Sequence, residues 1–117
     1  MVKFRWTKNS IADWHRNALP ECTLAQQYSK ANREAREFFY AKHYQDNAGM
    51  LEEMADIYIV NVVLTTRYNN DMARLICRWI ECSKSFERIR QAVDDKMDVN
   101  AKRKFAWIKG EWRHVED

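Results

Sequence analysis

Two glycines and one proline among 117 residues leave this chain few places to turn. Glycine and proline are the residues that most often end regular elements, so their scarcity calls for long, uninterrupted ones. The length suits a single domain spanning residues 1–117. Hydrophobic residues make up 46% and aromatics 13%, enough to build a core. A domain this small buries only a limited share of its surface, so association with further copies would help it.

The apolar periodicity predicts an all-α fold, an antiparallel bundle of four main helices, with no convincing strand. A short first helix covers about Ser10 to Leu19, capped by Asn9 or Ser10, carrying Ile11, Trp14 and Leu19 and stopped by Pro20. Thr23 followed by Gln26 reads as a capping box. The helix it opens runs to about Lys42, with Tyr28, Ala31, Ala35, Phe38 and Phe39 at helical spacing. After a loop at Gln45-Asp46-Asn47-Ala48-Gly49, a third helix covers Met50 to Thr66. Its second half, Ile57 to Leu64, is apolar nearly all round, the mark of a buried helix. Tyr68-Asn69-Asn70 forms the second loop. The fourth helix is the longest, about Asp71 to Met97, striped by Met72, Leu75, Ile76, Trp79, Ile80, Phe86, Ile89 and Val93. Trp14 and Trp79 read as core, while Trp6 and Trp107 are candidates to stack on a base. The tail after Asn100, with Phe105, Trp107 and Trp112, is expected to fold over the bundle.

Charge and cysteine usage exclude several classes. Twenty basic against seventeen acidic residues give a formal charge of +3, weak support for nucleic-acid binding. Cys22, Cys77 and Cys82 form neither a disulfide framework nor a CxxC zinc motif. The Ile57–Leu64 stretch is far too short to span a bilayer, and MVKFRWTKNS lacks the apolar region of a signal peptide. These features point to a reducing, cytoplasmic setting.

Chemistry concentrates in four acids. Glu34 and Glu37 lie three apart on the second helix, and Glu53 and Asp56 lie three apart on the third. Residues three apart share a helix face, and a short loop makes the two helices antiparallel neighbours. The pairs then converge across one interface. Asp56 leads directly into the apolar half of its helix, where a carboxylate is costly unless paired or bound to metal. Clustered carboxylates repel, and a hard divalent ion removes that conflict; oxygen donors alone favour magnesium or manganese. The competing reading is a solvated surface in which Lys30 pairs with Glu34 and Arg33 with Glu37.

The residues Arg33-Glu34-Ala35-Arg36-Glu37, a fifteen-residue spacer and Glu53-Met54-Ala55-Asp56 resemble the EExxE…ExxD pattern of MazG-like, all-α nucleoside triphosphate pyrophosphohydrolases. Gln27 and Lys30 ahead of the acids, the string LEEMADIYIV, Ile11-x-x-Trp14-His15, and Lys96, Asn100 and Arg103 with the terminal HVED extend the resemblance to small, often phage-borne members, from about Ser10 to Asp117. Arg33 departs from it, standing where the pattern has its first Glu. The resemblance implies hydrolysis of a nucleoside or deoxynucleoside triphosphate to the monophosphate and pyrophosphate by a metal-activated water. It further implies Glu34, Glu37, Glu53 and Asp56 as magnesium or manganese ligands, one of them serving instead as general base. Lys30, Lys96, Asn100 and Arg103 are the candidates for substrate contact.

The resemblance also implies a homodimer or tetramer, and the all-round apolar third helix points the same way, with Val60 and Val63 relying on a partner chain for burial. Two alternatives stand against the hydrolase. A non-enzymatic helical interaction module would bind nucleic acid through the basic C-terminal segment, Lys102-Arg103-Lys104. A di-iron bundle would need Glu-x-x-His on two helices, and only Glu111 with His114 fits.

Overall fold

The Thr7 hydroxyl accepts the Ser10 backbone N–H at 3.0 Å, and the Ser10 hydroxyl accepts the Thr7 N–H at 2.8 Å. This reciprocal cap starts helix α1 (Lys8–Ala18) earlier than the expected Asn9 or Ser10 cap, with Ser10 serving inside the first turn. The computed structural model describes residues 5–44, 47–108 and 111–115, with side chains described for those up to 106 and for Val115. The Thr23–Gln26 box forms as expected and opens α2 (Leu24–His43). Helix α3 (Asn47–Tyr68) takes in Asn47-Ala48-Gly49 of the expected first loop; Gln45 and Asp46 lie outside the described residues. At the second loop Asn69 adopts a left-handed φ of 52°, which asparagine tolerates, and the Asn70 side chain accepts the Ala73 N–H at 2.8 Å to cap α4 (Asp71–Glu81).

The expected single helix from Asp71 to Met97 is two. It breaks over residues 82–85, and α5 runs from Phe86 to Lys102. The stripe skips there: Cys82-Ser83-Lys84-Ser85 are all exposed, so nothing holds the turn against the core. The Ser83 hydroxyl instead accepts the Ser85 N–H at 3.1 Å, diverting the backbone from helix. The tail also differs from expectation. Strands β1 (Lys104–Ile108) and β2 (Glu111–Val115) pair antiparallel, Phe105 opposite His114 and Trp107 opposite Trp112. A period-two run, Lys-Phe-Ala-Trp-Ile, followed by a two-residue link containing Gly110, fits a hairpin better than a helix end.

Helix α3 is the axis of the fold. Helices α1, α2, α4 and α5 all pack against it. Its residues from Tyr58 to Leu64 are buried on every side by this one chain. Val60 and Val63 are 2% and 1% exposed without a partner, so their burial does not depend on association. Ile11, Ala55, Val62, Cys77, Ile89, Val93 and Met97 complete the core. Trp79 is not core: it is 83% exposed, and with Met72 and Leu75 it forms an uncovered apolar face on α4, while Ala73, Cys77 and Ile80 face inward. The N-terminal segment is strapped to α5 by the Arg5 and Trp6 backbone N–H groups, which donate to the buried Asp94 carboxylate at 2.9 and 3.0 Å. The cysteines are free. No helix among the described residues is long and apolar enough to cross a membrane.

Candidate metal centre

Helix α2 packs against α3 in an unusual way. Its buried residues are Gln27 and Glu34, seven positions and two turns apart, while Tyr28, Phe39 and Tyr40 face outward. A helix that turns polar residues inward must satisfy them there. Glu34 and Glu37 on α2 and Glu53 on α3 each bring a carboxylate oxygen to within 4.8 Å of the others. The inward polar stripe of α2 and the start of α3 meet at this cluster.

The Glu34 Oε2 and Glu53 Oε2 atoms are buried and have no hydrogen-bond partner. Burial, then the negative charges of Asp56 and Glu37, push the Glu34 carboxyl up to about 8. Burial and the same two neighbours push Glu53 upward. Two orphaned oxygens, on the two carboxyls that resist ionisation, are donors a hard divalent cation satisfies. These residues therefore fit magnesium or manganese held by Glu34, Glu37 and Glu53.

Asp56 falls outside that 4.8 Å group, although its charge acts on both Glu34 and Glu53. The expectation placed it among four converging ligands; here its Oδ2 lies 3.5 Å from the Lys96 Nζ on α5. Burial raises its carboxyl, and the Lys96 and Lys30 ammonium groups oppose that rise. The costly buried carboxylate is thus paired by a cation that sequence reading assigned to substrate. Lys30 is pulled below its ordinary value by burial, with the Glu34 charge opposing.

A cavity of about 950 Å³ opens beside the carboxylates. Glu34 and Asp56 line it, and so do all four expected substrate contacts, Lys30, Lys96, Asn100 and Arg103. Lys96 and Asn100 share one face of α5, and Arg103 follows as its C-terminal cap, which brings the three together. Glu37 and Glu53 do not border the cavity, so Glu34 links the carboxylate cluster to it. The remaining wall mixes polar groups, Arg33, Glu52 and Asp95 among them, with an aromatic and apolar stretch. Trp14 meets Phe105 edge-on at 5.8 Å, with Ile59, Val60 and Val63 nearby in the lining.

Trp14, expected in the core, packs against it half-buried and also forms part of this wall. Trp6 was a candidate to stack on a base; its indole N–H is committed to Asp98 at 3.0 Å and it packs against the core. The side chains of Trp107, Trp112, Glu111 and His114 lie outside the described residues. Sequence reading gave no role to His15, Gln27 or Phe105, all of which line the cavity. The Ile11-x-x-Trp14-His15 and Gln27-x-x-Lys30 strings were the available signal for two of them; Phe105 had none beyond its apolarity. No protein-family model, curated protein or solved structure matches this chain.

Proposed function

We propose that the chain is a magnesium-dependent hydrolase that cleaves nucleoside triphosphates to the monophosphate and pyrophosphate. The observation that carries this reading is Glu34, which has a buried, unpartnered Oε2 and belongs both to a three-carboxylate cluster and to the lining of a cavity with Lys30, Lys96 and Arg103. The cavity volume suits a nucleotide-sized ligand. Its cations suit a phosphate chain and its aromatic stretch a heterocycle, with Glu34, Glu52, Asp56 and Asp95 also on the wall.

Glu34, Glu37 and Glu53 would hold the metal. Magnesium, when bound, supplies neutralisation of phosphate charge and a more acidic water. Lys30, Lys96 and Arg103 bind and orient the phosphate oxygens, and Asn100 donates beside them. Asp56 lines the same cavity with its charge poised against Lys96, and accepts the proton of the attacking water. Substrate binding first draws Lys96 from Asp56 to phosphate, which frees Asp56 to act as that base.

Assembly into a dimer or tetramer is part of the same proposal, supported by the exposed Met72, Leu75 and Trp79 face of α4. Light scattering that gives a stable 14.1 kDa particle at micromolar concentration would remove it. Phosphorus NMR of a nucleotide panel incubated with protein and magnesium tests the chemistry. Pyrophosphate and monophosphate are the expected first products. Orthophosphate appearing first, or no turnover of any nucleotide, contradicts the assignment.

A further inference from the structure

The cavity has two unlike ends, and the register of α2 against α3 orders them. At one level the Gln27 Nε2 donates to the Val60 carbonyl at 3.5 Å. Further along α2, Glu34 and Glu37 meet Glu53. Moving from Gln27 toward Glu37 therefore moves from Val60 back toward the start of α3. The aromatic stretch belongs to the Gln27 level. His15 is hydrogen-bonded to the Gln27 side chain, Trp14 packs edge-on against His15 at 6.0 Å, and Phe105 meets Trp14. The other end is built by Ala48, Leu51 and Glu52 in the first turns of α3, together with Arg33 on α2.

Arg33 is half-buried on the cavity wall and stands six residues beyond Gln27. At ~1.5 Å per residue that is about 9 Å along the helix axis, away from the aromatic end. The next residue, Glu34, ties this end to the carboxylate cluster. Lys30, one turn back, lines the same wall. Burial pulls the Lys30 ammonium down; the Glu34 charge opposes that and the Arg33 guanidinium adds to it, so the two cations act on a shared volume. A guanidinium keeps its charge there, and its planar fork matches two oxygens of one phosphate.

Resting on the nucleotide reading above, with the heterocycle at the aromatic end, we infer that Arg33 binds the terminal phosphates of the substrate, the pair that departs as pyrophosphate. In that reaction the water oxygen bonds to the α phosphorus and its proton passes to Asp56. The bond from that phosphorus to the α,β-bridging oxygen breaks, and the bridging oxygen leaves with the electron pair on the β and γ phosphates. The charge gained by the leaving group is met at the Arg33 end. Arg33 is also the residue that reads chain length, because a monophosphate seated by its base stops short of it.

Calorimetry in magnesium on the wild type and Arg33→Gln tests this, with three probes: pyrophosphate, the deoxynucleoside monophosphates, and the matching α,β-imido triphosphate analogues. Arg33→Gln should weaken pyrophosphate and the analogues about tenfold or more and leave the monophosphates within about twofold. Arg33→Lys, which keeps the charge and loses the fork, should fall between. In the wild type, ¹⁵N NMR of arginine side chains should show the Arg33 Nε–H signal moving with pyrophosphate and not with monophosphate, a readout that needs no variant to fold. Equal losses for monophosphate and analogue, or a monophosphate that moves the Arg33 signal as far as pyrophosphate does, overturn the inference. If the wild type binds the analogues and Arg33→Gln binds them equally well, the inference falls and the nucleotide reading stands. If the wild type binds no nucleotide probe, both fall.

Discussion

Replacing Glu34 with Gln in the metal-free protein is expected to stabilise it at alkaline pH and leave it nearly unchanged in acid. The folded protein holds the Glu34 proton up to about 8, against an ordinary 4.5. Below 4.5 the group is protonated folded or unfolded and contributes no pH dependence. Between those values the unfolded chain gives up the proton while the folded chain keeps it, so stability falls as pH rises. The loss is complete above the folded value. At ~1.4 kcal/mol per tenfold difference in proton affinity, the upper bound is about 5 kcal/mol. Glu37 in the same cluster is exposed, so solvent screens part of this, and about 2 kcal/mol is the working figure.

Urea unfolding of both proteins in chelator, at pH 4.5 and pH 8.5, reads that difference directly (both conditions chosen to bracket the shift of about 3.5). The acid sensitivity of His15, pressed down to about 3 by burial, is common to both proteins and cancels. The Gln variant should gain about 2 kcal/mol on the wild type between the two conditions. Adding magnesium should then reverse the order, because only the wild type gains from binding. Unfolding midpoints that move in parallel across the whole range would show that Glu34 is not a buried, uncompensated carboxylate.

Excess chelator should abolish pyrophosphate release and magnesium or manganese restore it, and Glu53→Ala should abolish it with the helical circular dichroism retained; full turnover in either case removes the metal assignment. Magnesium binding at pH 7 should displace protons from the cluster, visible as a calorimetric heat that varies with the ionisation enthalpy of the buffer; a buffer-independent heat would argue against raised carboxyls. Val63→Asp should yield insoluble or unfolded protein, since it puts an unpaired carboxylate at a position 1% exposed, whereas Trp79→Glu at 83% exposed should leave the circular dichroism unchanged. Normal folding of the first, or unfolding of the second, would contradict the packing of α3 and α4.

The body of the fold was legible where a signal had one physical meaning. The Thr23–Gln26 cap, Pro20 and the Asn69–Asn70 turn each satisfy or interrupt specific backbone groups, and each stands where expected. The break after α4 was legible but overlooked. Steps of three and four carry the stripe to Ile80, and only Cys82, off the stripe, interrupts a polar run until Phe86, so a continuous helix would have had no stripe residue at that turn. The hairpin was hidden by brevity: five-residue strands carry too few alternations to stand out from a helix end. Trp79 was misplaced because apolar residues on a helix state that a face will be covered, not by which chain. Val60 and Val63 show the converse error, since four neighbouring helices suffice to close around α3.

The site was legible in identity and only partly in arrangement. Spacing along a helix fixes which residues share a face, and it brought Glu34, Glu37 and Glu53 together. It is silent on rotation about the packing axis, which sets Asp56 toward Lys96 instead. The inward face of α2 explains why the aromatic pattern misled. Tyr28, Ala31, Ala35, Phe38 and Phe39 keep helical spacing, yet the chain buries Gln27 and Glu34. Burying polar atoms in place of available aromatics lowers stability unless something else is gained. Gln27 and Glu34 are also both on the cavity wall, Glu34 with an oxygen that no protein atom satisfies. On the proposed metal and nucleotide reading, this rotation places α2 for its ligands at the expense of packing, so binding should stabilise the fold.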